Sequence, residues 1–135
     1  MTDVFSKDTR AWIMSQVHGK DTKPELIVRS IVHRLGYRFH LHKKTLPGKP
    51  DLVFPARQKV IFVHGCFWHG HKCHRGNRLP KTNTFYWRDK IKRNIDRYTK
   101  QKNDLKKLGW RSLVIWECQV GDLEKLQYKI ISFLK

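Results

Sequence analysis

The chain has 135 residues, room for one compact domain and too little for two ordinary ones. Its 29 Lys and Arg against 11 Asp and Glu give a formal charge of +18, while 39% apolar and 12% aromatic content excludes a wholly disordered basic tail. Charge of that sign repels itself unless a polyanion neutralises it, which makes nucleic acid the leading partner, ahead of an anionic membrane surface.

No apolar run approaches the roughly 20 residues of a membrane span. The amino terminus lacks the apolar centre of a signal peptide, and three cysteines do not make a disulfide framework. Together these features predict a cytoplasmic chain that faces nucleic acid and binds metal.

Residues 1–20 read as a polar lead-in with scattered Trp12, Ile13, Met14 and Val17, either a short amphipathic helix or an arm that orders on its partner. Thr22-Lys23-Pro24-Glu25 matches a helix-starting capping box; Leu26, Ile27, Ile31 and Leu35 recur at helical spacing, and Gly36 supplies the stop. Tyr37, Phe39 and Leu41 alternate with polar residues as in a half-buried strand. After the turn-like Leu46-Pro47-Gly48-Lys49-Pro50, residues 51–54 read as a second strand, and Lys59 to Val63 as a third, apolar enough for a central position. Residues 64–84 are irregular. A long helix is expected from about Arg88 to Leu108, with Ile91, Ile95, Tyr98, Leu105 and Leu108 on one face. Residues 111–116 form another buried strand, and Leu123, Leu126, Ile130 and Leu134 mark a closing helix. The order predicts an α/β fold, a mixed sheet flanked by helices.

Three groups of residues carry chemistry. Asp51 opens a strand directly after a Pro-Gly turn, where a carboxylate projects from the sheet edge; Mg2+ takes one or two such ligands and keeps several waters. Glu25 lies in the first turn of the preceding helix. The third strand carries no acid, so a metal here would need a backbone carbonyl such as that of Val63.

Residues 64–74 hold four histidines and two cysteines, with Cys118 later, just past a buried strand. Cys66, His71, Cys73 and Cys118 would complete a closed tetrahedral Zn2+ site, although His69 or His74 could replace His71 on spacing alone. Histidines outside that set, His64, His69 and His74, are available for general acid–base work or phosphate contact. Phe67-Trp68 within this polar loop is either a local mini-core or a wedge that enters the base stack.

Residues 72–107 carry thirteen Lys and Arg against three Asp, interleaved with Phe85-Tyr86-Trp87, as nucleic-acid surfaces often are. Lys90 and Asn94, four apart, share a helix face and offer a cation and an amide able to read base edges.

Leu46-Pro47-Gly48-Lys49-Pro50-Asp51, Val60 through His69, Lys90-Ile91 with Asn94, and Leu108-Gly109-Trp110 through Trp116-Glu117-Cys118 resemble the very-short-patch repair (Vsr-type) mismatch endonucleases over almost the whole chain. That resemblance implies a restriction-endonuclease-like core with a structural zinc, residues 1–20 as a DNA-contacting arm and 21–135 as a single nuclease domain. It implies a Mg2+-dependent nick 5′ to the thymine of a T·G mismatch, the product of 5-methylcytosine deamination. It further implies a monomer acting beside a cytosine-5 DNA methyltransferase and mismatch-repair proteins in a bacterial cytoplasm.

Carried over by position, Asp51 and the Val63 carbonyl would hold Mg2+, His69 would be the general base, and Glu25 and His64 would support the site. Cys66, His71, Cys73 and Cys118 would bind zinc. Phe67, Trp68 and Trp87 would intercalate, Lys90 and Asn94 would face the mismatch, and Met14 would reach the minor groove. Two positions depart from the pattern: Val63 stands where many relatives have Thr, and Tyr98 where many have Asp. A general restriction-type nuclease and a zinc-stabilised, non-cleaving DNA-binding module are the competing readings.

Overall fold

A computed structural model describes residues 22–73 and 81–135; the expected arm with Met14, and His74, lie outside the described residues. Helix α1 spans Lys23–Arg34, with the Thr22 hydroxyl oxygen accepting from the Glu25 N–H at 3.4 Å and Pro24 in the first turn, where its missing N–H leaves nothing unpaired. Gly36, at φ +85°, releases the chain from the helix.

Strands β1 (His40–Leu41), β2 (Leu52–Phe54), β3 (Lys59–His64) and β4 (Arg111–Trp116) form one sheet in that spatial order. The pairs β1–β2 and β2–β3 are antiparallel. The pair β3–β4 is parallel, in register from Lys59 opposite Arg111 to His64 opposite Trp116. Antiparallel neighbours need only a tight connection, here a 3-10 turn at Pro55–Arg57, whereas the parallel pair needs a crossover, which helix α2 (Thr84–Lys107) supplies. A second 3-10 turn, Glu117–Gln119, leads to helix α3 (Leu123–Leu134).

Alternation along β3 divides its side chains between two cores. Ile61 packs with Val28 and Val32 of α1, Leu52, Phe54, Ile115, and Leu126 and Ile130 of α3. Val60 and Phe62 point the other way, to Val53, Leu105, Tyr98, Trp110 and Val114. The sheet is thus covered on both faces, as expected, with α2 opposite α1 and α3. Basic side chains fasten the last turn of α3: Lys59 Nζ donates to the Phe133 carbonyl at 2.6 Å and Arg57 Nε to that of Leu134 at 2.8 Å. Lys129 Nζ donates to the Val114 carbonyl on β4 at 3.1 Å and to Gln119 Oε1 at 3.0 Å.

Local expectations shift in four places. The strand expected at residues 37–41 pairs only at His40–Leu41; Tyr37 and Phe39 pack against the core without joining the ladder. On α1 the fully buried stripe is Glu25, Val28 and Val32, while Ile27, Ile31 and Leu35 cover its flank, because the sheet meets the helix on the side of the smaller residues. Helix α2 begins a turn earlier than expected, since Phe85-Tyr86-Trp87 are weak helix formers whose turn is held by ring packing. At its far end Leu108 is a 58% exposed cap, not core.

Candidate functional site

Val63 lies past the end of the β2–β3 ladder, so no β2 carbonyl is opposite its N–H. The Asp51 carboxylate takes that place, Oδ2 accepting from Val63 N at 2.7 Å. Glu25 arrives from the other side: it shares the i, i+3, i+7 face of α1 with Val28 and Val32, and packing that face on the sheet buries the carboxylate. Arg29, one turn on, forms an ion pair with Glu25 Oε2. His42 completes the group, its Nε2 3.0 Å from Glu25 Oε1 and 3.7 Å from Asp51 Oδ1.

Burial, and then the neighbouring Glu25 carboxyl, pushes Asp51 up to about 8, against the pull of the Val63 N–H. Burial also acts to raise Glu25, but hydrogen bonds from Asp51 and His42 and the Arg29 charge outweigh it and hold Glu25 below its ordinary value. Two carboxyl groups this close share a proton unless a cation sits between them. Their oxygens and the His42 nitrogen lie within 4.8 Å of one another, a donor set that fits a divalent ion.

At the end of β3, His64 stacks face to face with His69 of the following loop, ring centroids 3.7 Å apart, and the Tyr98 ring stands edge-on to His64 with centroids 4.6 Å apart. Burial, with the neighbouring His69, lowers His64 to about 3; burial, with Arg97, lowers His69 to about 4. Both imidazoles are therefore neutral at physiological pH. Each Nδ1 is buried without a hydrogen-bond partner among the described residues, and the Tyr98 hydroxyl bonds to Ser112 instead. The rings open on a cavity of about 460 Å3 that Ile95 and Trp116 also line.

The loop after β3 turns back through backbone bonds from Gly70 to Phe67 and from His71 to Cys66. Gly70, at φ +60°, passes so close to α2 that a Cβ would stand 3.0 Å from Ile91 and Ile95 side-chain carbons. Glu117 Oε1 accepts from the Cys66 N–H at 3.2 Å, tying the loop to the turn that carries Cys118. Cys66, His71, Cys73 and Cys118 thereby converge with donor atoms within 4.8 Å, and His71 stacks on Trp116 at 4.1 Å. Burial and the adjacent thiols push Cys66 up to about 12, so this thiol stays protonated by itself; a bound cation would convert it to a thiolate. Three sulfurs and one imidazole suit a closed tetrahedral metal site.

Phe67, Trp68, Tyr86 and Trp87 form one surface cluster, with Phe67–Trp68 centroids 5.2 Å apart and Trp68–Trp87 5.8 Å apart. Trp68 is 44% exposed, and Lys90 Nζ lies 5.1 Å from the centre of its ring. Asn94 Nδ2 donates to the Trp68 carbonyl at 2.9 Å, fixing the loop on α2. The aromatic pair is thus both a local packing unit and an exposed edge.

Among the residues singled out in the sequence, Glu25, Asp51 and Val63 meet in one pocket, His64 and His69 in a second group, and the three cysteines with His71 in a third. Sequence reasoning missed His42. Its signal was faint: the alternation of His40 and His42 predicts one shared face, whereas His42 adopts φ +47° and turns off the strand.

A family model described as DNA mismatch endonuclease Vsr matches residues 2–75. The type II nicking enzyme V.XorIIP of Xanthomonas oryzae pv. oryzae is 48% identical over 134 residues, 99% of this chain and 98% of its own length. The type II nicking enzyme V.NmeAIP of Neisseria meningitidis serogroup A is 42% identical, covering 89% of this chain and 85% of itself. The DNA mismatch endonuclease Vsr of Escherichia coli is 40% identical over 126 residues, 93% of this chain and 80% of its own length.

Proposed function

The chain belongs to the Vsr family of DNA mismatch endonucleases, and from that premise we propose that it nicks one strand of duplex DNA 5′ to the thymine of a T·G mismatch, using Mg2+. The observation that carries the reading is the convergence of the Glu25 and Asp51 carboxylates, with donor atoms within 4.8 Å of each other, at the end of β3 in a chain of charge +18. The Val63 carbonyl is a fitting third oxygen, because the N–H and C=O of one extended residue leave the strand on the same side and its N–H already meets Asp51.

Glu25, Asp51 and the Val63 carbonyl would hold a divalent ion, which would supply positive charge near the scissile phosphate and make water there more acidic. His69, kept neutral by burial, takes the proton of that water, with His64 stacked against it to fix the ring. Phe67, Trp68 and Trp87 enter the base stack and part it beside the lesion, while Lys90 and Asn94 bring a cation and an amide to the same edge. Met14, in the amino-terminal arm, contacts the minor groove. Cys66, His71, Cys73 and Cys118 hold zinc as a structural tie between the loop and β4.

Names of relatives as type II nicking enzymes support pairing with a cytosine-5 DNA methyltransferase, whose product deaminates to T·G, and a handover to mismatch-repair proteins. Among the described residues no helix is long and apolar enough to cross a membrane, in keeping with action on DNA in the bacterial cytoplasm. A cut in one strand needs one active site, which favours a monomer.

The deciding experiment incubates the chain and Mg2+ with duplexes that differ only in a central T·G, C·G or T·A pair. One nick beside the mismatched T, lost in Asp51→Ala while duplex binding persists, is expected. Equal cutting of all three would make it a general nuclease; binding without cutting would make it a DNA-binding module.

A further inference from the structure

We propose that His42 is itself a ligand of the divalent ion, so that Glu25, Asp51 and the His42 imidazole form a mixed oxygen–nitrogen site that favours Mn2+ over Mg2+. The inference rests on the reading that a divalent ion binds between the two carboxylates, and it changes what kind of ion that is.

Geometry comes first. His42 Nε2 stands within 3.0 Å of one carboxylate and 3.7 Å of the other, so an ion held by Glu25 and Asp51 meets this nitrogen as well. Mg2+ is a hard cation that prefers oxygen and gives up water reluctantly. Imidazole suits first-row divalent ions, so one nitrogen among the oxygens moves the preference away from Mg2+, while two carboxylates keep the site hard enough for Mn2+.

Backbone conformation points the same way. His42 holds φ +47°, a region that non-glycine residues enter at some cost, and its N–H donates to the Asp51 carbonyl at 3.3 Å. The turn that strains this residue also swings its ring away from solvent and onto both carboxylates.

Pulsed electron paramagnetic resonance on the full, zinc-loaded chain with one equivalent of Mn2+ tests this, alongside competitive Mg2+ titration. Expected in the wild type is nitrogen modulation from a directly bound imidazole. In His42→Gln, which offers an amide oxygen in place of the nitrogen, the modulation disappears and the Mn2+-to-Mg2+ affinity ratio falls about tenfold or more. His42→Gly, free of the backbone cost, loses the signal without a lower melting temperature. Persistence of the modulation in both variants, or an unchanged affinity ratio, overturns the proposal. Should those results accompany normal T·G nicking with Mg2+, only the role of His42 falls. If Mn2+ and Mg2+ both fail to bind and no duplex is cut, the metal-centre reading falls and takes this proposal with it.

Discussion

Two donor clusters lie near the end of β3 and are built in opposite ways. Glu25 and Asp51 sit at a helix face and at the mouth of a strand, positions fixed by the packing of Val28, Val32, Leu52 and Ile61. Cys66, Cys73 and His71 sit on a loop, and Cys118 on a short, exposed turn, linked mainly by a few backbone bonds and the Glu117 carboxylate. A rigid frame can hold two acids together before any ion arrives; a loop has no such frame, and on the proposed reading it takes its shape from the ion. On the proposed reading the first cluster serves chemistry rather than folding, and the second the reverse.

The largest expected effect comes from breaking the cysteine cluster. Structural zinc binds zinc-finger peptides with about 10–16 kcal/mol, more than the roughly 5–15 kcal/mol of a typical domain's stability. Cys118→Ser, or a strong chelator, should lose about one zinc per chain by elemental analysis and unfold the chain at much lower urea; a wild-type melt would show that the loop stands without metal. Next, Asp51→Asn should lower nicking by about 10²-fold or more through loss of charge stabilisation. Its melting temperature should equal or exceed the wild type's, since a crowded buried carboxylate has gone and the amide oxygen still accepts from Val63. A large drop in melting temperature would erase the contrast between the clusters.

Trp68→Ala should weaken mismatch binding by about 1–3 kcal/mol, the contribution of one stacking aromatic, and leave stability nearly unchanged because the ring is half exposed. An acid effect that the stacked imidazoles impose on stability is graded by pH rather than made by one substitution. His64 and His69 stay neutral in the fold down to about 3 and 4, whereas the unfolded chain protonates them from about pH 6.5. The unfolded state binds more protons in that window, so this contribution is complete above about pH 6.5 and lost as pH falls toward 4. Urea titrations from pH 7 to 4.5 should show the decline, and His64→Phe should flatten part of it.

The element order, the mixed sheet and the cysteine cluster were legible because their signals are local: an apolar run at Lys59–Val63, caps at Thr22 and Gly36, and thiols spaced as ligands. What escaped depended on approach between elements. Leu26, Ile27, Ile31 and Leu35 mark a helix without saying which side the sheet will meet, and that choice is what delivers Glu25. Likewise the left-handed turn at His42 follows from how β1 meets the Asp51 carbonyl, which no pattern within residues 37–42 encodes. The departure at Tyr98 has a visible outcome: the side chain turns its hydroxyl to Ser112 and offers the imidazoles only a ring edge.

The hold of Lys129 on the Val114 carbonyl bears on company rather than catalysis. β4 borders the sheet, and no described strand lies beyond it. An ammonium group parked at that margin would have to be displaced, along with its bond to Gln119, before a stranger's backbone could zip on. For a protein whose work lies along a polyanion shared with its own copies, the Lys129 bonds stand against strand addition at this margin.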